Sequence, residues 1–424
     1  MFTKRNAALG FIFVTVLLDM LSFGVIAPLL PKLISDFLNG NTARASEYIG
    51  MFTTTWAFMQ FIFAPVLGLL SDRFGRRPVI LLSNFGLALD YFVMAIAPSV
   101  RWLFLGRVLS GLTSASIPTA TAYISDVTAP EKRSKAFGLL GAAFGAGFIL
   151  GPALGGWLGA HNPRLPFWVA GIGSLVNFCY GLFVLPESLP RERRQPKLQW
   201  NNANPLGALR LLRSHAELLG LATVNFLGYV AHEIYVTVYV LYVIYRFGWS
   251  SRMVGISLAV VGVTQMATYT SVGPIVKRLG ERRTLLTGLA CAALGFALFG
   301  WLSGVVFLIA IPINALWSLA GPTSQSLMTQ RVSPSEQGEL QGALGSLRGV
   351  AMLIGPGLFS LTFAYFISPG HVVPGAPWYL ASTLLMISLA IAWAVAKDKG
   401  NGQDRNDQEK EDKISSPVAS LEVG

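Results

Sequence analysis

The sequence predicts an all-α membrane protein with twelve transmembrane helices arranged as two pseudo-symmetric six-helix bundles. Hydrophobic residues make up 53% of the 424 residues, charged residues only 12%, and mean hydropathy is +0.55. That composition leaves too little polar surface for a soluble globule of this length. Apolar stretches of roughly 20 residues, long enough to cross a hydrocarbon core as helices, recur along the chain. Between two of them lies a polar turn, Gly68-Leu69-Leu70-Ser71-Asp72-Arg73-Phe74-Gly75-Arg76-Arg77. It returns in degraded form about 205 residues later as Gly273-Pro274-Ile275-Val276-Lys277-Arg278-Leu279-Gly280-Glu281-Arg282-Arg283. A turn duplicated in this way marks two halves that meet at one membrane face.

The first apolar stretch, 7–30, carries Asp19 and lacks a small-residue cleavage site after a short apolar core, so a retained helix is expected and not a signal peptide. Stretch 47–71 runs into the polar turn and 78–97 leaves it. The fourth, 102–125, contains Arg107; the fifth, 135–159, is rich in glycine; the sixth is 166–185. Residues 186–217 are polar, with Arg191-Glu192-Arg193-Arg194 and Asn201-Asn202-Ala203-Asn204-Pro205, and read as a linker with a short amphipathic piece around 205–213. The second half supplies 218–244, 250–275, 284–303, 305–328, 339–366 and 376–395. Internal similarity supports the division: Asp126-Val127-Thr128-Ala129-Pro130-Glu131 parallels Arg331-Val332-Ser333-Pro334-Ser335-Glu336, and Gly151-Pro152 parallels Gly355-Pro356. The expected units are a first bundle over 1–185, the linker over 186–217, a second bundle over 218–396 and a charged tail over 397–424. The tail has too few apolar residues to order itself.

An even number of spans puts both termini on one side, and basic residues say which. Of the 32 Lys and Arg, 24 fall on the side of the termini, the polar turns and the linker. Six fall opposite: Lys32, Arg44, Arg101, Arg164, Arg246 and Arg252. Arg107 and Arg348 lie within spans. This bias places both ends in the cytoplasm of a bacterial inner membrane, and it makes the net charge of +11 a topology signal and not a nucleic-acid footprint. Cys179 and Cys291 sit inside apolar runs, which offers no disulfide framework or zinc site, so no metal or cofactor is expected. A monomer in the lipid bilayer, with protons and a small-molecule substrate as its partners, is the expected form.

The residues now quoted resemble the major facilitator superfamily and, within it, the drug/proton antiporters of the tetracycline-resistance type. Gly68, Asp72, Arg73, Gly75, Arg76 and Arg77 match the superfamily's first signature, and Gly106-Arg107 with Gly111 resembles its second. Gly138, Gly147, Gly151, Pro152, Gly155 and Gly156 reproduce the antiporter signature, which separates exporters from uptake symporters. The resemblance implies that the polar turn gates access and that the acids matching Asp19 and Asp90 serve transport. It also implies that the arginine matching Arg107 serves proton coupling. Each motif has a physical reading beside the resemblance. A carboxylate at Asp72 can pair with a basic side chain or a helix N-terminus of the other half, holding an outward-facing state, or the turn is an ordinary charged flank. The glycines of 135–159 clear one helix face for close packing, and Pro152 permits a bend.

Ionisable residues inside the membrane are costly and each needs a reason. Asp19 lies near the middle of its span, about 12 residues or roughly 18 Å from its start, and is a candidate proton carrier. Glu233, beside His232, is another. Asp90 and Arg107 either pair with each other or touch substrate. His232 reads as a packing residue or a substrate contact. Tyr235, Tyr239 and Tyr242, spaced i, i+4, i+7, form a stripe that is either core or a face for flat drugs. Arg348 either pairs with Glu233 or Asp19, or binds an anionic group of the substrate. Asp90, His232, Tyr235, Tyr239 and Arg348 are the candidate substrate residues; Asp19, Glu233 and Arg107 are the candidates for proton coupling. One departure stands out. The tetracycline branch carries an acid shortly after the second polar turn where this chain has Ala292, and no acid occurs between Glu281 and Glu336.

The leading expectation is a proton-coupled exporter of amphipathic small molecules, tetracycline-like or multidrug. A metabolite or siderophore exporter and a non-transporting sensor on the same fold are the alternatives. No Gly-x-x-x-x-Gly-Lys loop is present to use ATP, and no catalytic triad or metal constellation points to an enzyme.

Overall fold

The computed structural model describes residues 4–114, 116–128, 130–195, 209–212, 216–333 and 336–396, and the regular elements among them are all helical. The first half contains α1 (Lys4–Ile26), α2 (Leu30–Phe37), α3 (Thr42–Phe74), α4 (Arg76–Ile96), α5 (Val100–Thr113), α6 (Ser116–Val127), α7 (Pro130–His161) and α8 (Leu165–Val184). A short α9 (Leu209–Leu212) follows. Then come α10 (Ala216–Thr237), α11 (Tyr239–Phe247), α12 (Ser251–Thr270), α13 (Val272–Leu279), α14 (Glu281–Trp301), α15 (Ala310–Ala315), α16 (Ala320–Thr329), α17 (Gln337–Phe366) and α18 (Ala376–Val395).

Several expected spans prove to be broken helices. The first turns between α1 and α2, where Pro28 and Pro31 remove backbone donors. The seventh bends by 51° between α10 and α11. The tenth alternates 3₁₀ turns over Gly304–Ile309 and Leu316–Leu319 with α15 and α16. Ten helices among the described residues are long and apolar enough to cross a membrane, and the bent pair makes eleven. The remaining expected span corresponds to α5 and α6, which flank Ala115. Of the amphipathic piece around 205–213 only α9 is described; Leu211 and Leu212 are buried there and α9 lies against α17. The rest of that piece and the charged tail lie outside the described residues.

The duplication seen in the sequence is visible in the backbone. Gly75 ends α3 at φ 109°, ψ 162°, and Gly280 ends α13 at φ 77°, ψ 162°. Both φ values lie in the left-handed region that a side chain disfavours, so glycine recurs at the same point of each turn.

Packing repeats too. Within the halves, α1 packs on α7, α4 on α8 and α5, α10 on α17 and α18, and α14 on α18; across the halves, α7 packs on α12 and α17 on α3. So α7 and α17, which carry the two Gly-Pro pairs, each join the first span of their own half to the second span of the other. The cross-half contacts sit away from the basic face. Ser46 Oγ donates to the Ser360 carbonyl at 2.9 Å, and a Cβ on Gly50 would lie 2.7 Å from Ser360 Cβ. On the α7 side a Cβ on Gly156 would lie 3.0 Å from Gly255 Cα. Toward the basic face, Leu139 on α7 and Leu279 on α13 are exposed, while Met266 of α12 marks the last contact with α7, its Cε lying over Gly145.

Candidate functional site

The polar turn is built by residues from three segments. Arg76 pairs with Asp72 at 2.5 Å and with Asp126, at the end of α6, at 3.2 Å. Glu187, just after α8, accepts from the backbone N–H of Arg76 at 2.8 Å and of Arg77 at 3.3 Å, and Arg194 lies 3.7 Å from it. A carboxylate on the first N–H groups of α4 satisfies donors that no helical carbonyl can reach and meets the positive end of the helix dipole. Arg77 donates to the Leu182 carbonyl, while Arg73 is exposed over the Phe74 ring. Gly68 has open space beside it. Asp72 thus pairs within its own half in this conformation, not with the second half.

The glycines of α7 divide between two neighbours. A Cβ on Gly147 would meet Met20 Cβ at 2.6 Å, one on Gly151 would meet Gly24 Cα at 2.7 Å, and one on Gly155 would meet Val25 Cα at 2.8 Å, all on α1. Gly24 itself faces Pro152, with Cδ 2.8 Å from where its Cβ would be. Gly156 turns to α12 instead. The expected close approach is therefore made with two helices, one in each half. Gly138, near the basic face, has nothing within 4 Å.

Among the intramembrane ionisable groups, Asp90 and Arg107 form an ion pair between α4 and α5. Gly106 makes the pair possible, since a Cβ there would fall 2.5 Å from Asp90 Oδ1. Asp90 is fully buried, so it offers no surface to a substrate in this conformation. Asp19 is buried on α1 at 7% exposure and Glu233 is buried on α10 at 8%. They occupy the first spans of the two halves. Glu233 is held against α17, where a Cβ on Gly355 would meet Glu233 Cγ at 2.6 Å. Thr237 donates to the Glu233 carbonyl at 2.7 Å, immediately before the bend into α11.

Two expectations are corrected. Arg348 is neither buried nor ion-paired with Glu233: it is exposed on α17, and among the described residues no hydrogen bond or ion pair engages it. Gly355, not Arg348, is the residue of α17 that meets Glu233, and Arg348 lies two helical turns away. The tyrosine stripe packs as core and not as a face for flat drugs: across the bend after Thr237, Tyr235 stacks on Tyr239 at 5.8 Å between ring centroids, and all three rings meet Trp378 edge-on. Tyr239 and Tyr242 are fully buried in an aromatic core with Trp378, Phe299 and Phe307. Tyr239 is therefore a packing residue here and not a lining one. Tyr235 is half-buried and donates to Asn314 Oδ1 at 2.5 Å. His232 is exposed, with ring centroids 5.8 Å from Trp317 and 6.0 Å from Tyr235.

Sequence reasoning missed Glu187, Asn314 and Trp317. Glu187 had a signal: an acid directly after the sixth span, in a segment otherwise rich in arginine. Asn314 and Trp317 had none, because their spacing is set by the alternating 3₁₀ and α geometry of this span. Ala292, at the departure from the tetracycline pattern, is fully buried, and its carbonyl accepts from Asn314 Nδ2 at 3.3 Å.

A family model described as Major Facilitator Superfamily matches residues 12–356. The chain is 36% identical over 395 residues to the class C tetracycline resistance protein of Escherichia coli, covering 91% of this chain and 96% of that one. It is 33% identical over 390 residues to the class H tetracycline resistance protein of Pasteurella multocida, covering 92% and 96%. Among solved structures it resembles the nucleoside transporter NupG, with a TM-score of 0.75 at 13% identity over 94% of this chain and 100% of that one.

Proposed function

The chain belongs to the Major Facilitator Superfamily, and from that premise we propose that it is a proton-coupled exporter of amphipathic small molecules, tetracycline-like or multidrug, in a bacterial inner membrane. The observation that carries the reading is α7. Its glycines seat α1 and α12 on one helix, so that a single element joins the first half to the second and can rock between them.

The basic face is the cytoplasmic one, and bundles over 1–185 and 218–396 move against each other about the linker. The halves are in contact away from that face, which makes the conformation described an inward-facing one. In the cycle, substrate loads from the cytoplasm and the halves rock. The Asp72 turn then engages the second half to hold the outward-facing state, and a proton arriving at Asp19 or Glu233 accompanies the return. Arg107 supports coupling by holding Asp90.

A drug-susceptibility panel in an efflux-deficient host, with and without a proton uncoupler, tests the proposal. Expression should raise tolerance to at least one amphipathic drug, and the uncoupler should restore accumulation. Tolerance that survives the uncoupler would remove the proton from the cycle. Unchanged susceptibility, together with no pH-driven uptake into inverted vesicles, would remove drug export.

A further inference from the structure

Arg348 is exposed although it lies within α17, about 16 Å of helix from Gln337 at 1.5 Å per residue. His232 is exposed on α10 in the same way. Neither a guanidinium nor an imidazole belongs in lipid, so both face the water-accessible space inside the protein. Their placement agrees. On a helix with 100° per residue, Arg348 and Gly355 point within about 20° of each other, and Gly355 faces α10. The neighbouring Gly349 faces Phe61 of the other half, where a Cβ would come within 2.7 Å. Tyr229, His232 and Glu233, on successive turns of α10, all lie within electrostatic range of the Arg348 guanidinium. Beyond His232 stands the half-buried Trp317 ring. An unpaired cation thus stands at the edge of an aromatic wall between the halves.

We propose that Arg348, His232 and Trp317 form a subsite for an ionised acidic group, carboxylate or enolate, carried on a planar aromatic substrate. Arg348 pairs with the anion, the Trp317 ring bears on the face of the planar body, and the His232 ring, tilted 47° to it, meets the body's edge. A guanidinium suits this work because its planar fork meets two oxygens at once and its charge does not titrate. Glu233 of α10 sits against Gly355, two turns along α17 from Arg348, so a bound anion takes the guanidinium directly while the carboxyl feels its charge only at a distance. The inference rests on the exporter reading and narrows it: the substrates are acids or zwitterions, not purely cationic drugs.

Binding tests this apart from transport. Purified full-length protein in lipid nanodiscs is titrated with fluorescein, a planar anion, and with ethidium, a planar cation, and fluorescence anisotropy is read. Arg348→Gln should weaken fluorescein by about tenfold or more and leave ethidium within about twofold, whether or not ethidium binds at all. Arg348→Lys should keep most of the fluorescein affinity. Trp317→Leu should weaken every probe that binds, whatever its charge. Equal fluorescein affinity in wild type and Arg348→Gln, an equal loss of both probes in Arg348→Gln, or a loss in Arg348→Lys as large as that in Arg348→Gln would each overturn the anion subsite. Failure of gradient-driven uptake with fluorescein binding intact would instead fall on the exporter reading alone.

Discussion

Gly156 of α7 and Gly255 of α12 meet backbone to backbone: a Cβ on either would stand 3.0 Å from the other's Cα, and Gly255 also faces the Pro152 carbonyl. This contact closes the halves away from the basic face, and no flexible side-chain end is there to yield. Overpacking of this kind costs about 1–3 kcal/mol. Gly255→Ala should therefore destabilise the described conformation and shift the population toward the opposite one by about 5- to 150-fold. Spin labels on Asn39→Cys and Val372→Cys, exposed on that face in the two halves, should move apart in the variant. An unchanged distance distribution would show that the glycine pair does not govern closure.

Asp72 pairs with Arg76 inside its own half, and its side chain is 40% exposed, so its removal costs little fold stability. In the proposed cycle its work lies in the outward-facing state, where the halves exchange contacts. Asp72→Asn should abolish net transport while leaving expression and melting temperature close to wild type. Normal uptake by this variant would end the gating role.

The Asp90–Arg107 pair makes a different demand. Asp90 is fully buried and the Arg107 side chain is 13% exposed, so a neutral partner leaves a charge stranded in a low-dielectric site. Asp90→Asn should lower stability by about 3–5 kcal/mol, read as a large drop in the melting temperature of the purified protein. Asp90→Asn with Arg107→Gln should recover most of that stability, because no unpaired buried charge remains. Should the double variant stay stable yet fail to transport, Arg107 would have a task beyond holding Asp90.

Much of this architecture was legible because it rests on local signals. Apolar run length gives the spans, and Gly-Pro pairs 204 residues apart, Gly151-Pro152 and Gly355-Pro356, mark the helices that bridge the halves. The i, i+4, i+7 spacing of Tyr235, Tyr239 and Tyr242 left core and drug face open, since periodicity tells which residues share a face and not what covers it; Trp378, from the last helix, covers this one. Arg348 did mislead. A charge within a span is expected to seek its opposite, but pairing depends on which turn of the neighbouring helix it faces, and that distance is tertiary. Glu187 shows the same limit: its carboxylate serves N–H groups more than 100 residues earlier in the chain.

Sidedness has its own test. In a Cys179→Ser, Cys291→Ser background, Asn201→Cys should react with an impermeant thiol reagent only when the cytoplasmic face is accessible, and Asn162→Cys only from outside, given the 24 to 6 distribution of basic residues. Labelling of Asn201→Cys in intact cells would invert the topology and, with it, the direction assigned to the described conformation.

The last prediction separates Glu233 from Arg348. Had the two formed an ion pair, neutralising both would restore what either loss removed, because the stranded charge would be gone. The geometry says otherwise: Glu233 rests on Gly355, while Arg348 stands two turns away, exposed and engaged by no ion pair among the described residues. Their losses should then fall on different steps. Glu233→Gln should remove pH-driven accumulation into inverted vesicles while sparing fluorescein binding, and Arg348→Gln should weaken fluorescein binding. The double variant should show both defects with a coupling energy in binding below about 1 kcal/mol, that of two charges acting across a gap and not of a pair in contact. Recovery of uptake in the double variant would restore the ion pair as a feature of another state in the cycle. Full uptake by Glu233→Gln alone would leave Asp19, a deep carboxylate outside the Asp90–Arg107 pair, to carry the proton, and Asp19→Asn the next variant to measure.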